Sequence, residues 1–516
     1  MSAPPASPPP ALRPGAPKPP RTFVSPTVHS PPLVSLAEGN AAFNNLHFWG
    51  IIVATPWLVK ALVLPLLFWP ISVVTTTLFG FQPTFGFKTY LLLFALLGFP
   101  VAVAYWWVIS KVGPRLDEKV PVERKPLEEF FEIRDAAFAE EWKDKKVPMQ
   151  ILHDAYFDGK VDFKGDVLET LEHRQEFASF EFTYELFRYA FCNFFPEVIM
   201  HSQNQDENQI RDNYDRGNDF YYWFLGPRMI YTSGVIRDPT RKETLEELQD
   251  NKLQLVCEKL GLKPGETLLD IGCGWGTLTA YAAKNYGVDA TGVTLAREQA
   301  AFGTERIAKA GLTPDQARIL CHDYREIPAG KKFDKIVSLE MAEHVGVRRY
   351  HVFLNQVYNL LEDDGTFFFQ VSGIRARWQF EDLVWGLFMN KYVFPGADAS
   401  CALGWVINKL EQAGFEVKSV DVLGCHYSAT LWRWYENWLA NKEKVLAKYG
   451  ERWFRVWAFF LAWSVIASRQ GSASLFQITL HKNLNAYPRV EGIASQHGIH
   501  VQSDHELVPI SDDPEF

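Results

Sequence analysis

Hydrophobic residues run in long unbroken blocks near the start of the chain and in short punctuated ones later. The two patterns predict different structures. Residues 39–59 carry no charge apart from His47, Lys60 interrupts, 61–87 are again uncharged, Lys88 interrupts, and Thr89 to Ser110 are uncharged throughout. A helix needs roughly 20 apolar residues to cross a bilayer. Residues 46–110 are therefore expected to form two transmembrane helices, kinked at Pro65 and Pro70, with Lys60 snorkelling and Tyr105, Trp106 and Trp107 as an interfacial belt. The alternative is a pair of buried core helices. The block begins too far into the chain for an ordinary signal peptide. Arg13, Lys18 and Arg21 precede it, Lys111, Arg115, Lys119, Arg124 and Lys125 follow it, and only Lys88 lies in the turn. This bias puts both ends of the hairpin in the cytosol.

Residues 1–45 are expected to be a disordered Pro-rich tail, since 12 of the 31 prolines fall before residue 41. Residues 111–230 read as mainly helical and membrane-proximal, and Phe180 to Phe195 is dense in Phe and Tyr. From 266 onward a βα alternation sets in. Strands are expected at Glu266–Ile271, Asp289–Leu295, Ala317–Cys321, Phe333–Leu339, Thr366–Val371, Phe415–Val422 and Leu475–His481. Thr244–Leu260 has Leu245, Leu248, Leu255 and Val256 at helical spacing and stops at Gly261. Such alternation predicts an α/β fold, a largely parallel sheet with helices on both faces, with the last strand antiparallel after a long helical insert. This domain is expected to span 231–488, with helical additions, before a flexible tail at 489–516. Val456 to Ser468 has too few uncharged residues between Arg455 and Arg469 to span a bilayer and is expected to be a buried or interfacial helix.

At the first βα junction an apolar run ends in an acid and three alternating glycines, Leu268-Leu269-Asp270-Ile271-Gly272-Cys273-Gly274-Trp275-Gly276. Glycines let backbone approach a ligand, and a helix N-terminus presents free N–H groups to it. The spacing is GxGxG and not the GxGxxG of dinucleotide folds, and the second strand ends in Thr294-Leu295 with no ribose-binding acid. Asp270 before the turn can face a cationic aminoacyl group, which favours S-adenosylmethionine over NAD; it can also cap the turn.

Composition narrows the partners. Aromatic content is 15%, with 17 Trp and 39 Phe, which suggests lipid contact. The net charge of −9 argues against nucleic acid, which requires clustered Lys and Arg. The six cysteines form no CxxC pair, so no metal site is expected and a reducing compartment is favoured. His497, His500 and His505 read as solvated.

Several segments, in order, resemble the cyclopropane fatty acid synthases: Asn213-Tyr214-Asp215-Arg216-Gly217-Asn218-Asp219-Phe220, Leu268–Gly276, Gly292–Gln299, Asp323-Tyr324-Arg325, Glu343-His344-Val345-Gly346, Lys391-Tyr392-Val393-Phe394-Pro395-Gly396 and His426-Tyr427. With the Pro-rich tail and double apolar segment, the whole chain is similar to the fungal-type sphingolipid C9-methyltransferases. The resemblance implies a class I, Rossmann-like methyltransferase fold. It implies methylation of C9 in the 4,8-unsaturated base of ceramide or glucosylceramide, at a membrane and most naturally the endoplasmic reticulum, with the catalytic domain cytosolic. It leaves the choice between the two lipids and the oligomeric state open. The competing readings are a cyclopropane synthase or other methyltransferase acting on an unsaturated acyl chain, and a catalytically dead scaffold.

The resemblance also implies site residues. Tyr231 and Thr232 would touch the cofactor, Leu268 to Gly276 would cradle its aminoacyl group and ribose, and Thr294, Leu295, Ala296, Arg297, Glu298 and Gln299 would line the ribose and adenine. Asp323, Tyr324 and Arg325 would border the adenine. In the cyclopropane synthases a bicarbonate acts as base, held by Cys, Glu, His and Tyr. Here Glu343 and Tyr427 match, but the Cys position reads Ser233 and the His position Gln370, which puts bicarbonate in doubt; a further family cysteine reads Ser464. Methylation that restores the double bond must remove the proton from C9 itself. Glu343, oriented by Tyr427, is expected to take or relay it, with Ser233 and Gln370 reshaping the pocket and Tyr214, Phe220 and Trp378 facing the cation.

Overall fold

The computed structural model describes residues 123–194 and 217–484, apart from 329, 348, 378 and 396–400, together with Ala104, Trp107 and Val108. The expected tails and nearly all of the expected hairpin lie outside the described residues, as do Tyr214 and Trp378. Among the described residues no helix is long and apolar enough to cross a membrane.

Seven strands form the central sheet: β1 (Thr267–Ile271), β2 (Asp289–Val293), β3 (Ala317–Leu320), β4 (Phe333–Leu339), β5 (Leu361–Ile374), β6 (Phe415–Val422) and β7 (Ala473–Lys482). Their order is β6-β7-β5-β4-β1-β2-β3. β1 to β5 are parallel where they pair, and Asp270 sits opposite both Gly292 and Val337. β7 lies antiparallel between β5 and β6. The antiparallel last strand follows from its connection: the chain returns through a long helical insert rather than a βα crossover. All seven strands fall where alternation placed them. β1 and β4 are covered on both faces, and all but one residue of each is buried.

Helix α1 (Leu245–Leu260) starts with a capping box between Thr244 and Glu247 and stops at Gly261 in the left-handed region. Its buried face differs from the expected one. Leu255 is only half-buried, while Gln249 and Lys252, one turn from Leu245 and Leu248, point inward with Leu253 and Val256. Polar residues on the covered face mark it as the wall of a polar site.

Over the C-terminal edge of the sheet lies a helical cap: α2 (Phe380–Tyr392), α3 (Gly424–Ala440) and α4 (Glu451–Arg469), packed on the segment 123–194 and on the helix Asn218–Leu225. The 123–194 segment is not purely helical. Phe131–Ile133 pairs with Val161–Phe163, and Val147–Pro148 with Ala178–Ser179. Every residue from Phe454 to Ser468 is buried, so α4 is an internal helix. The aromatic excess is explained here as packing. Trp434, Trp438, Trp457 and Trp463 are fully enclosed, and Phe220 and Phe224 meet the first three edge-on or tilted at 4.9–6.0 Å.

Candidate functional site

The glycine turn after β1 opens onto a cavity of about 360 Å³. Gly272 has φ +80°, and a Cβ there would stand 2.6 Å from Met341 Cγ, so both the backbone and the space require glycine. Gly276 has φ +70° and packs against Ile319 and Gly303, seating the next helix (Thr277–Tyr286) on the sheet. Asp270 is buried at the turn and accepts from Thr279 Oγ1 at 2.9 Å; burial raises its carboxyl to about 6. Trp275 Nε1 donates to Asn218 Oδ1 at 2.7 Å, tying the turn to the Asn213–Phe220 motif. Lys252, on the inward face of α1, donates to Thr232 Oγ1 at 3.0 Å, and burial pulls its ammonium down to about 8. Thr294 Oγ1 donates to Gln299 Oε1 at 2.8 Å, fixing the far wall.

Of the expected cofactor contacts, Tyr231, Thr232, Asp270, Gly272, Cys273, Gly274, Trp275, Thr294, Leu295, Gln299, Tyr324 and Arg325 line this cavity. Others do not. Leu268, Leu269 and Ile271 are interior strand residues, Gly276 and Ala296 face packing neighbours, and Arg297 and Glu298 point to solvent from the helix start. Asp323 is buried and turned away, capping Tyr324–Glu326 and gripping Arg325. The contiguous motif reaches the cavity where it turns, Gly272 to Trp275, and in the strand before it only at Asp270.

A second cavity of about 130 Å³ lies between the sheet and the cap, with Trp385, Met389, Phe394, Leu431, Trp434 and Phe460 as its apolar lining and Glu343, Ser372, Tyr427 and Ser464 among its polar groups. The two cavities share Tyr231, Glu340 and His344. Phe220 lines neither; it is enclosed in the aromatic core. Tyr231 sits among rings, 5.3 Å from Trp434 and 5.9 Å from Phe394.

Three of the four expected catalytic positions, Ser233, Gln370 and Tyr427, converge on a residue that the sequence reading missed. Glu340 Oε1 accepts from the Ser233 backbone N–H at 3.0 Å and from Gln370 Nε2 at 2.7 Å, and the Tyr427 hydroxyl donates to the same carboxylate. Tyr427 thus orients Glu340 rather than Glu343. The Ser233 hydroxyl donates to Gly234 O, away from the site, and neither Ser233 nor Gln370 lines either cavity. Glu343 Oε1 accepts from Ser372 N at 2.6 Å, and its Oε2 is buried without a partner. A legible signal existed: Glu340 is an acid directly at the end of β4, where α/β sheets place ligands.

Burial, and then the charge of Glu340, pushes Glu343 up to about 8, so it is protonated at neutral pH. Because the proton binds the folded state more tightly, its stabilising contribution is complete below pH about 4.5 and is lost as pH rises through about 8. Glu340 shifts in the same direction. Glu343→Gln, a permanently neutral isostere, should flatten the decline in melting temperature across that window and stabilise the alkaline end. An unchanged slope would assign the pH dependence elsewhere.

Residues 201–478 match the mycolic acid cyclopropane synthetase family. The chain is 51% identical over 477 residues to sphingolipid C9-methyltransferase 2 of Gibberella zeae, covering 92% of this chain and 88% of that one. It is 54% identical over 422 residues to the sphingolipid C9-methyltransferase of Komagataella phaffii, covering 80% and 86%. Among solved structures, the cyclopropane synthase MmaA2 of Mycobacterium tuberculosis superposes with a TM-score of 0.51 at 28% identity, covering 54% of this chain and 98% of that one. CmaA1, a mycolic acid cyclopropane synthase complexed with SAH and CTAB, gives 0.50 at the same identity and coverage.

Proposed function

The chain belongs to the mycolic acid cyclopropane synthetase family, alongside its sphingolipid C9-methyltransferases, and on that footing we propose how its two cavities divide one reaction. It is an S-adenosylmethionine-dependent methyltransferase acting at C9 of a sphingoid base. The glycine-turn cavity takes the cofactor, which supplies an electrophilic methyl group when bound. The aromatic cavity takes the unsaturated stretch of the lipid. The observation that carries this division is the shared wall: Tyr231, Glu340 and His344 border both spaces, so a donor in one and a double bond in the other meet there.

Each group has a derivable task. Gly272 and Gly274 bring backbone close to the donor, and Asp270 and Glu340 set negative charge around a cation. Tyr231, Tyr427 and Trp434 turn ring faces and edges on the junction, which steadies a carbocation and keeps water from trapping it. The apolar segments of 46–110 support a hairpin that holds the cytosolic domain at a membrane, the endoplasmic reticulum in our reading, where a double-chain lipid, ceramide or glucosylceramide, is presented.

The test is direct. The full chain with S-adenosylmethionine should convert a 4,8-diunsaturated ceramide or glucosylceramide to a product heavier by one CH₂. Ser464→Trp, which fills the second cavity, should lower lipid turnover at least about tenfold, roughly 1.4 kcal/mol, while S-adenosylhomocysteine affinity stays within about twofold. Product formed only on unsaturated acyl chains would move the enzyme to the acyl-methylating branch. Equal loss of both properties in Ser464→Trp would remove the second cavity from substrate binding.

A further inference from the structure

Glu340 is unusual in three independent ways. It is one of three non-glycine residues among those described with a positive φ, at +53°. A side chain in the left-handed region costs about 1–2 kcal/mol, and such strain persists where the local geometry is put to use. Its carboxylate collects the Ser233 N–H, the Gln370 amide and the Tyr427 hydroxyl, with the Ser372 hydroxyl 3.5 Å from Oε2. It also stands in the wall that both cavities share, whereas Glu343 reaches only the lipid side.

These donors do not leave room for a separate bicarbonate. Three of the four positions expected to hold one, Ser233, Gln370 and Tyr427, already satisfy Glu340. An added anion would meet a carboxylate head-on, with the fourth position, Glu343, a second acid behind it. The site does not fit that ion.

We propose that the Glu340 carboxylate is the built-in base that removes the C9 proton, making this enzyme independent of an exogenous carbonate. The proposal rests on the C9-methyltransferase reading above. The electron pair of the C8–C9 double bond forms the bond from C9 to the methyl carbon as the methyl–sulfur bond breaks, leaving the cation at C8. The C9–H bond then breaks, its electrons restore the double bond, and the proton passes to a Glu340 oxygen. These donors hold the carboxylate in place before the reaction begins. Glu343 keeps its own proton and so leaves Glu340 as the acceptor.

Glycine adopts φ +53° without strain, so Glu340→Gly keeps the fold while deleting the base. Glu340→Gly and Glu340→Gln should lose about 10²–10⁴-fold in methyl transfer to the sphingolipid, a loss far larger than any fall in S-adenosylhomocysteine affinity. Millimolar formate or bicarbonate should restore part of the rate in Glu340→Gly and none in Glu340→Gln, where the amide still fills the space. The parent rate should be the same in buffer stripped of bicarbonate. A parent that slows when bicarbonate is removed, a Glu340→Gln rate within about threefold of the parent, or a greater loss in Glu343→Gln than in Glu340→Gln would each overturn the assignment. A parent that methylates no sphingolipid at all would instead fail the C9-methyltransferase reading.

Discussion

Gly272→Val should abolish cofactor binding. The new Cβ would lie 2.6 and 2.7 Å from Met341 Cγ and Cβ, and the branched side chain would have to sit at φ +80°. The left-handed backbone alone costs about 1–2 kcal/mol. Relief requires the turn to move, and Gly272 to Trp275 of that turn form one wall of the cofactor cavity. We expect the dissociation constant for S-adenosylhomocysteine to rise at least about 100-fold, roughly 2.7 kcal/mol, by calorimetry on protein whose circular dichroism matches the parent. Gly274→Ala is the internal control. Its φ is +52°, but nothing lies within 4 Å of the added methyl, so its loss should be clearly smaller. Equal losses would mean that the turn's backbone angles, not its contact with Met341, set the affinity. No loss in either would place the cofactor elsewhere.

The second large effect is on stability. Arg174 and Glu381 form an ion pair at 2.6 Å with both side chains enclosed. Arg174 also donates to Leu171 O at 3.2 Å and to Gln470 Oε1 at 2.7 Å, and Trp463 Nε1 lies 3.5 Å from Glu381. The pair joins the 123–194 segment to α2 and to the end of α4. Removing one partner leaves an unpaired buried charge, so Glu381→Ala should destabilise the protein by about 3–5 kcal/mol in denaturant unfolding. Replacing both with apolar residues of similar size, Arg174→Met with Glu381→Leu, should recover most of that loss. A double variant as unstable as the single one would show that the pair holds the cap by more than charge balance.

The sheet was legible because each strand carries a local signature: apolar runs, bounded by Gly or polar breaks, at βα spacing. The glycine turn was legible for the same reason. What escaped was non-local. The second cavity is assembled largely from α2, α3 and α4, with lining residues from Trp385 on α2 to Ser468 on α4, and no short window shows that Trp434 and Phe394 share a wall. Leu255 matched an apolar spacing yet turned half outward, because the site needed Gln249 and Lys252 on the inner face. Glu340 was hidden by its neighbour. Glu343-His344 carried the motif, and only the fold reveals that Ser233, Gln370 and Tyr427, far apart in the chain, all turn their donors to the earlier acid.

One line of buried contacts reaches farther than the site. Gln370 Oε1 accepts from Gln477 Nε2 at 2.8 Å, Gln477 Oε1 accepts from Lys259 Nζ at 2.9 Å, and the same ammonium meets Asp421 at 2.7 Å. Each donor along it faces Glu340, so the amide dipoles add rather than cancel. The line crosses β5 and β7 and ends on β6, the outermost strand on that side of the sheet. The posture of the acid is thereby fastened to the rim. Fraying of that margin, by heat or by a misplaced charge at Lys259, would detune the reaction while the hydrophobic centre was still intact, so the enzyme should fail by inactivation before it fails by melting.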